Sequence, residues 1–155
     1  MNDGKLIIRL ATSADINPIT AFQLSMAEES EGKALDPQVV AEGVRGVLDQ
    51  IHRGQYFLAE SEGRVVGSLL ITYEWSDWRN ANFWWIQSVY VEPTSRRQGV
   101  YSAMHNHILR IARSNPGVCG VRLYVDRENK TAQNTYNSLG MHISQYDMYE
   151  VPLES

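Results

Sequence analysis

Apolar residues along this chain recur with two periods. Short runs with strand character are separated by longer stretches in which apolar positions return every three to four residues, so the chain divides into strands and helices. Leu6–Leu10 reads as a first strand. Thr12 or Ser13 then caps a helix whose apolar positions Ile16, Ile19, Phe22, Leu24 and Met26 lie along one side, with Pro18 early enough to be tolerated. The polar stretch 28–33 ends it. Asp36 and Pro37 open a second helix with Val40, Val44, Val47, Leu48 and Ile51 as its buried stripe, and Gly54 closes it. Runs at 56–60 and 64–73 flank Ser61, Glu62 and Gly63, the signal of a hairpin. Residues 83–91 form a long aromatic and β-branched run. A helix over about 97–114 follows, with Ala103, Met104, His107, Ile108 and Ile111 facing inward until Asn115, Pro116 and Gly117 break it. A strand over 118–125, a helix over 129–138 and a last strand over 145–151 complete an α/β order.

Length and composition narrow this picture. The 155 residues suffice for one domain with a sizeable core, so a single domain over 1–155 is expected. A hydrophobic fraction of 43% with mixed charges fits a globular protein, and no apolar run approaches the roughly 20 residues of a membrane helix. The first residues have no apolar signal core behind them. Cys119 is the single cysteine, so no internal disulfide forms; its setting in an apolar strand reads as a small core residue, and a reducing cytoplasm is the natural compartment. A net charge of −4 argues against a nucleic-acid surface and would suit cationic acceptors.

Two segments carry candidate chemistry. In the first, the apolar residues Val89, Tyr90 and Val91 run through Glu92 and Pro93 into the basic turn Arg96-Arg97-Gln98-Gly99, which opens a helix at Val100, Tyr101 and Ser102. The first turn of a helix has amides without intrahelical acceptors and a partial positive charge, which together make an anion site. Gly99 lets a ligand approach the backbone, and Arg96 and Arg97 can add charge-assisted contacts to phosphate. In the second, the strand-like run at 121–125 precedes Asn129, Ala132 and Tyr136, which share one helix face at i, i+3, i+7, before Gly140 stops the helix.

Together these segments resemble the motifs of the GNAT superfamily, the acyl-CoA-dependent N-acetyltransferases. Arg96 to Tyr101 is similar to Q/R-x-x-G-x-G/A, and Asn129 to Tyr136 is similar to N-x-x-A-x-x-x-Y followed by a Gly and a large apolar residue. One departure stands out: Tyr101 occupies the usual second Gly or Ala position. The resemblance implies an α/β fold with a mixed, mostly antiparallel central sheet of six to seven strands, flanked by about four helices, with splayed parallel strands 4 and 5. It implies acetyl-CoA as donor, held by Val89, Tyr90, Val91, Arg96, Arg97, Gln98, Gly99, Val100, Tyr101, Ser102, Asn129, Ala132 and Tyr136. By the same resemblance the Val89 N–H faces the thioester oxygen and the Tyr136 hydroxyl donates a proton to the departing thiolate. Residues 73–78 and 85–89 resemble the corresponding hairpin of the diamine acetyltransferases, with Gln87 and Ser88 in place of an acidic pair. No base is thereby assigned: a water chain leading to Glu28, Glu74, Asp77 or Glu92 can substitute, or the acceptor arrives already neutral.

The expected activity is transfer of an acetyl group to a primary amine of a small molecule, a polyamine or an amino-acid derivative, by direct attack through a tetrahedral intermediate. Glu28, Trp75, Asp77, Trp85 and Gln87 are the candidates for the acceptor side. A protein or peptide N-terminus is the alternative acceptor. A non-catalytic acyl-CoA-binding module is a reading of another class, and a nucleotide-phosphate binder ranks last because no Walker-type lysine follows the glycine turn. His105 and His107, two apart on a helix, point in different directions, so no metal site is expected. Trp75, Trp78, Trp84 and Trp85 read first as core or interface residues and second as a pocket lining, which leaves room for a homodimer.

Overall fold

The structure, a computed structural model, describes residues 5–153. Among them the chain separates into two compact units, one ending at Leu123 and one beginning at Tyr124. The first holds five strands and three helices: β1 (Leu6–Leu10), α1 (Ile16–Glu31), α2 (Pro37–Asp49), β2 (Gln55–Ser61), β3 (Arg64–Ser76), β4 (Ala81–Val91), α3 (Val100–Arg113) and β5 (Val118–Arg122). The second holds α4 (Lys130–Ser138) and an extended tail. No helix among the described residues is long and apolar enough to cross a membrane.

The strands form one sheet in sequence order, antiparallel from β1 to β4 and parallel between β4 and β5. It has five strands where six to seven were expected. The missing strand is the one read at 145–151. Those residues are extended but join no ladder, because alternating apolar positions make a segment competent to pair without supplying a neighbour. The fifth strand is also shorter than expected, ending at Arg122 instead of residue 125. Its pairing with β4 runs only from Asn82↔Val118 to Trp85↔Arg122, so the C-terminal six residues of β4, from Ile86 to Val91, lie beyond the shared ladder.

Each face of the sheet buries its own cluster. On one side Phe57, Leu69, Ile71, Trp84 and Ile86 pack with Val100, Met104 and Ile108 of α3. On the other, Tyr56 and Leu58 pack with Ile19 of α1 and Val44 of α2. Neighbouring residues of β2 thus divide between the two faces, as the strand period requires. Cys119, expected in the core, is half-buried like the rest of β5.

β4 breaks that period once. Ser68 pairs with Tyr90 but Leu70 pairs with Gln87, so Ser88 and Val89 together stand opposite Leu69 in a β-bulge. Ser88 takes a left-handed backbone with φ of 51°. Before the bulge Trp84 and Ile86 face α3; after it Val89 and Val91 pack against the same cluster although their numbers are odd. One inserted residue thereby keeps both halves of the strand in register with the core.

The start of α1 is held by an ion pair. Arg9 bonds both oxygens of Asp15, at 2.8 and 2.9 Å, while Asp15 also accepts from the Thr12 amide at 2.7 Å. Its hydrogen bond to Arg9 holds the Asp15 carboxyl below its usual value near 3.8, against the opposing effect of burial. A depressed carboxylate adds stability above its unfolded pKa and loses it as pH falls through the folded value. Asp15→Asn is therefore expected to cost about 2 kcal/mol at pH 7, with the difference vanishing once the pH is well below 3.8. Urea titrations of both proteins across pH check it; a gap that persists in acid would assign the effect to shape instead of charge.

Candidate functional site

Where β4 ends, the chain makes a short 3-10 turn, Pro93–Ser95, and then the bend that starts α3. Glu92 organises the turn: its carboxylate accepts from Thr94 Oγ1 and Ser95 Oγ and pairs with Arg64. That commitment makes Glu92 a structural carboxylate and removes one of the four suggested routes to a base. Arg97 and Gly99 both take left-handed conformations, with φ of 63° and 77°. The helix consequently begins at Val100, three residues later than the apolar period implied, with Gly99 as its N-cap.

No side chain caps α3, and its first turn carries no acidic residue. The first backbone bond runs from Ala103 N to Gly99 O at 3.0 Å, so the preceding amides have no acceptor inside the helix. A Cβ placed on Gly99 would meet nothing within 4 Å. Glycine is thus needed there for its φ, and the space over the turn is open to a ligand. Successive amides in such a turn form a concave anion site, and the N-terminal end of the helix dipole reinforces it. Arg110 and Arg113 in the last turn complement the opposite end. A depression of about 440 Å³, lined by Arg64, Thr94, Ser95 and Gln98 among others, adjoins the turn.

The two arginines of the turn behave differently. Arg97 is exposed. Arg96 is also exposed, but its guanidinium is engaged by neighbours: Nε donates to Val91 O at 2.8 Å, Nη2 to Glu29 Oε1 at 2.7 Å, and the guanidinium lies 5.4 Å from the Tyr90 ring centroid. Glu29 takes the Tyr90 hydroxyl on its other oxygen. These two hydrogen bonds, Tyr90 first, hold the Glu29 carboxyl below its usual value, while burial and then Glu29 push the Tyr90 hydroxyl up, so the tyrosine stays protonated and donates. Arg96 therefore fastens the end of α1 to the end of β4. Glu28, expected on the acceptor side, is exposed, and so is its neighbour Glu29, which the sequence analysis did not name. A usable signal existed: Glu29 is two turns beyond Phe22, which packs on Tyr90 at 5.1 Å, so the two share a helix face.

Tyr101, at the departure from the family pattern, packs against the α3-side cluster. Its hydroxyl lies 3.0 Å from Nδ1 of the fully buried His105. Burial, then Arg113, lowers the His105 pKa, so the ring is neutral at pH 7.

The acceptor candidates divide between faces. Gln87 pairs with Leu70 and Trp85 with Thr72, which places both on the α1/α2 side. There Gln87 Nε2 donates to Thr72 Oγ1. Trp85 Nε1 donates to Glu74 Oε1 at 2.8 Å, Arg122 Nη1 reaches the same oxygen at 3.0 Å, and the guanidinium covers the Phe83 ring at 3.6 Å. Trp75 continues the row of Ile71 and Tyr73 on the opposite face and is 60% exposed; Asp77 is exposed in the β3–β4 turn. Of the tryptophans, only Trp84 is buried in the core.

In the second unit Asn129 caps α4, its side chain accepting from the Ala132 amide at 3.1 Å, and Gly140, with φ of 93°, closes the helix. Asn129, Ala132 and Tyr136 lie on one face. Burial raises the Tyr136 hydroxyl above its ordinary value near 10.

Comparison with known proteins gives these features a context. The profile of the acetyltransferase (GNAT) family matches residues 22–141. The crystal structure of a possible acetyltransferase from Clostridium difficile 630 is 41% identical, with a TM-score of 0.91 over 97% of this chain and 99% of that one. At 16% identity, a predicted acetyltransferase with acetyl-CoA from Clostridium acetobutylicum has a TM-score of 0.76 over 95% and 96% of the two chains. A ribosomal-protein-alanine N-acetyltransferase from Brucella melitensis biovar Abortus 2308, 14% identical, has a TM-score of 0.79 over 97% and 100%. The two distant structures share the fold. No curated protein matches.

Proposed function

Because the chain belongs to the GNAT family of acetyltransferases, we propose that it transfers an acetyl group from acetyl-CoA to the primary amine of a small molecule, within one catalytic domain over residues 1–155. The family match runs across the boundary between the two units, which supports treating them as one functional domain. The observation that carries the donor assignment is the uncapped start of α3 behind left-handed Gly99, open above the turn. The amides from Gln98 to Ser102 fit a diphosphate, with Arg97 as the available guanidinium and Asn129 as the anchor for the cofactor arm.

Acetyl-CoA, when bound, supplies the thioester carbon that the amine attacks. The Val89 N–H, re-aimed by the bulge, donates to the oxygen as charge develops on it. The Tyr136 hydroxyl gives its proton to the sulfur as the carbon–sulfur bond breaks, and the proton lost by the amine nitrogen returns to solvent and re-protonates the tyrosine. Two of the carboxylates near the acceptor face are already matched, Glu74 by Arg122 and Glu29 by Arg96. This balance favours an amino-acid derivative with one amine over a polyamine. A single cysteine accords with a reducing cytoplasm.

The deciding experiment incubates the protein with acetyl-CoA and a panel of polyamines, amino-acid derivatives and peptide N-termini, and reads free-thiol release. Turnover on single-amine acceptors is expected. Tight acetyl-CoA binding without turnover would leave only a binding module, and turnover confined to peptides would move the acceptor class. Arg97→Ala should raise KM for acetyl-CoA about fivefold, roughly the 1 kcal/mol of an exposed charge contact, with kcat nearly unchanged. An unaltered KM would remove Arg97 from the cradle.

A further inference from the structure

Beside the acceptor face lies a cation that the fold holds in place and only partly uses. Arg122 is the last residue of β5 and pairs with Trp85, the last position that β4 shares with it, so it stands where their common ladder ends. Val121 joins the α3-side cluster, which turns Arg122 to the opposite face, the side of Trp85 and Gln87. Its guanidinium lies 3.6 Å from the Phe83 ring centroid, a distance that places it over the face of the ring. The ring has room there because residue 120 is glycine: a Cβ on Gly120 would stand 2.8 Å from Phe83 Cε1.

Only one edge of this guanidinium is occupied. Nη1 bonds Glu74 Oε1 at 3.0 Å, while Nε and Nη2 have no protein partner among the described residues. The side chain is 32% exposed, so the open edge is reachable from solvent yet partly desolvated. Arg79 approaches the same ring, 5.1 Å from its centroid, and makes no ion pair among the described residues. Two cations thus meet one carboxylate, and the surplus charge is positive. An ordinary surface ion pair, worth up to about 1 kcal/mol, would explain the contact with Glu74. It explains neither the platform that Gly120 makes possible nor the second guanidinium.

We propose that Arg122 reads a carboxylate on the acceptor, at the end remote from the amine that is acetylated. This rests on the acetyl-transfer reading above and narrows its acceptor to an amino carboxylate. The open Nε and Nη2 edge matches the two oxygens of a carboxylate, a fit that a point charge lacks. Val89, the oxyanion donor, lies beyond Trp85 by three regular steps and the bulge, about 10 Å at roughly 3.3 Å per residue. An acceptor that bridges this distance has its amine and carboxylate at opposite ends of an extended chain, as in an ω-amino acid. A free α-amino acid has both groups on one carbon and does not reach both ends.

Three acceptors of one length isolate the charge at the far end: ε-aminocaproate, ε-aminocaproamide and hexamethylenediamine. Their kcat/KM should fall in that order, with the carboxylate preferred over the amide by at least about tenfold. Arg122→Gln should bring that ratio to within about twofold, with KM for acetyl-CoA and the melting temperature holding. Glu74→Gln keeps an oxygen for Trp85 and removes the competing charge, so it should raise the ratio about threefold, a change that a merely structural pair would not produce. Equal use of carboxylate and amide, or a preference that survives Arg122→Gln, would overturn the proposal and leave acetyl transfer standing. If none of the three turns over, acetyl transfer to such amines fails and binding alone decides. Titration with ε-aminocaproate should then shift the Trp85 indole N–H resonance, identified by its loss in Trp85→Phe, and ε-aminocaproamide should not. The same shift with both, or none with either, would remove the carboxylate site.

Discussion

Tyr136→Phe is expected to lower kcat by about 10² to 10³ while changing KM for acetyl-CoA less than about threefold. The split follows from the role. A hydroxyl that donates only as the carbon–sulfur bond breaks contributes little to the bound ground state, so its loss appears in turnover. Burial raises the Tyr136 pKa above 10, so the hydroxyl stays protonated at neutral pH and its deprotonation sets an alkaline limb on kcat above that value. Phenylalanine keeps the ring and its packing, so the melting temperature should hold within a few degrees. Steady-state kinetics with free-thiol detection provide the measurement. Equal kcat in the two proteins would leave the tyrosine as a packing residue, while equal losses in kcat and stability would mean that the ring had moved.

Much of the candidate site's local geometry was legible because it lies on the backbone. Glycine at a helix start and a stop glycine after Tyr136 are local signals, and both lie where the sequence put them. What escaped reading depends on neighbours. The fate of Arg96 is decided by Glu29, 67 positions away in the chain. The tail at 145–151 has the alternation of a strand, but pairing belongs to two segments, and one of them supplies no evidence of the other. The late start of α3 has a similar cause: Arg97 is left-handed without being a glycine, and a helical period does not reveal that.

The bulge is the most consequential feature that the sequence concealed. Phe83, Trp84, Trp85 and Ile86 form an unbroken apolar run, so a shift of one residue leaves no trace in its pattern. Ser88 drew notice only as the place of a missing carboxylate. In the fold its side chain matters less than its φ of 51°.

Deletion of Ser88 is accordingly expected to cost activity while leaving the fold in place. With the extra residue gone, Val89 follows Gln87 in a regular strand opposite Leu69, and Val89, Tyr90 and Val91 keep the faces they now hold, so the α3-side cluster and the contacts of Tyr90 with Glu29 and Phe22 persist. What the deletion removes is the bulge that re-aims the Val89 amide, the proposed oxyanion donor, and loss of one such donor costs about 10²–10³ in kcat. Two substitutions isolate the cause. Ser88→Gly keeps the left-handed backbone and should retain activity within a few-fold, whereas Ser88→Val, branched at Cβ, should cost about 1–2 kcal/mol. Urea unfolding and kinetics on the three variants separate conformation from side-chain chemistry. If the glycine variant lost activity as fully as the deletion, the serine hydroxyl would be the functional element and the bulge a bystander.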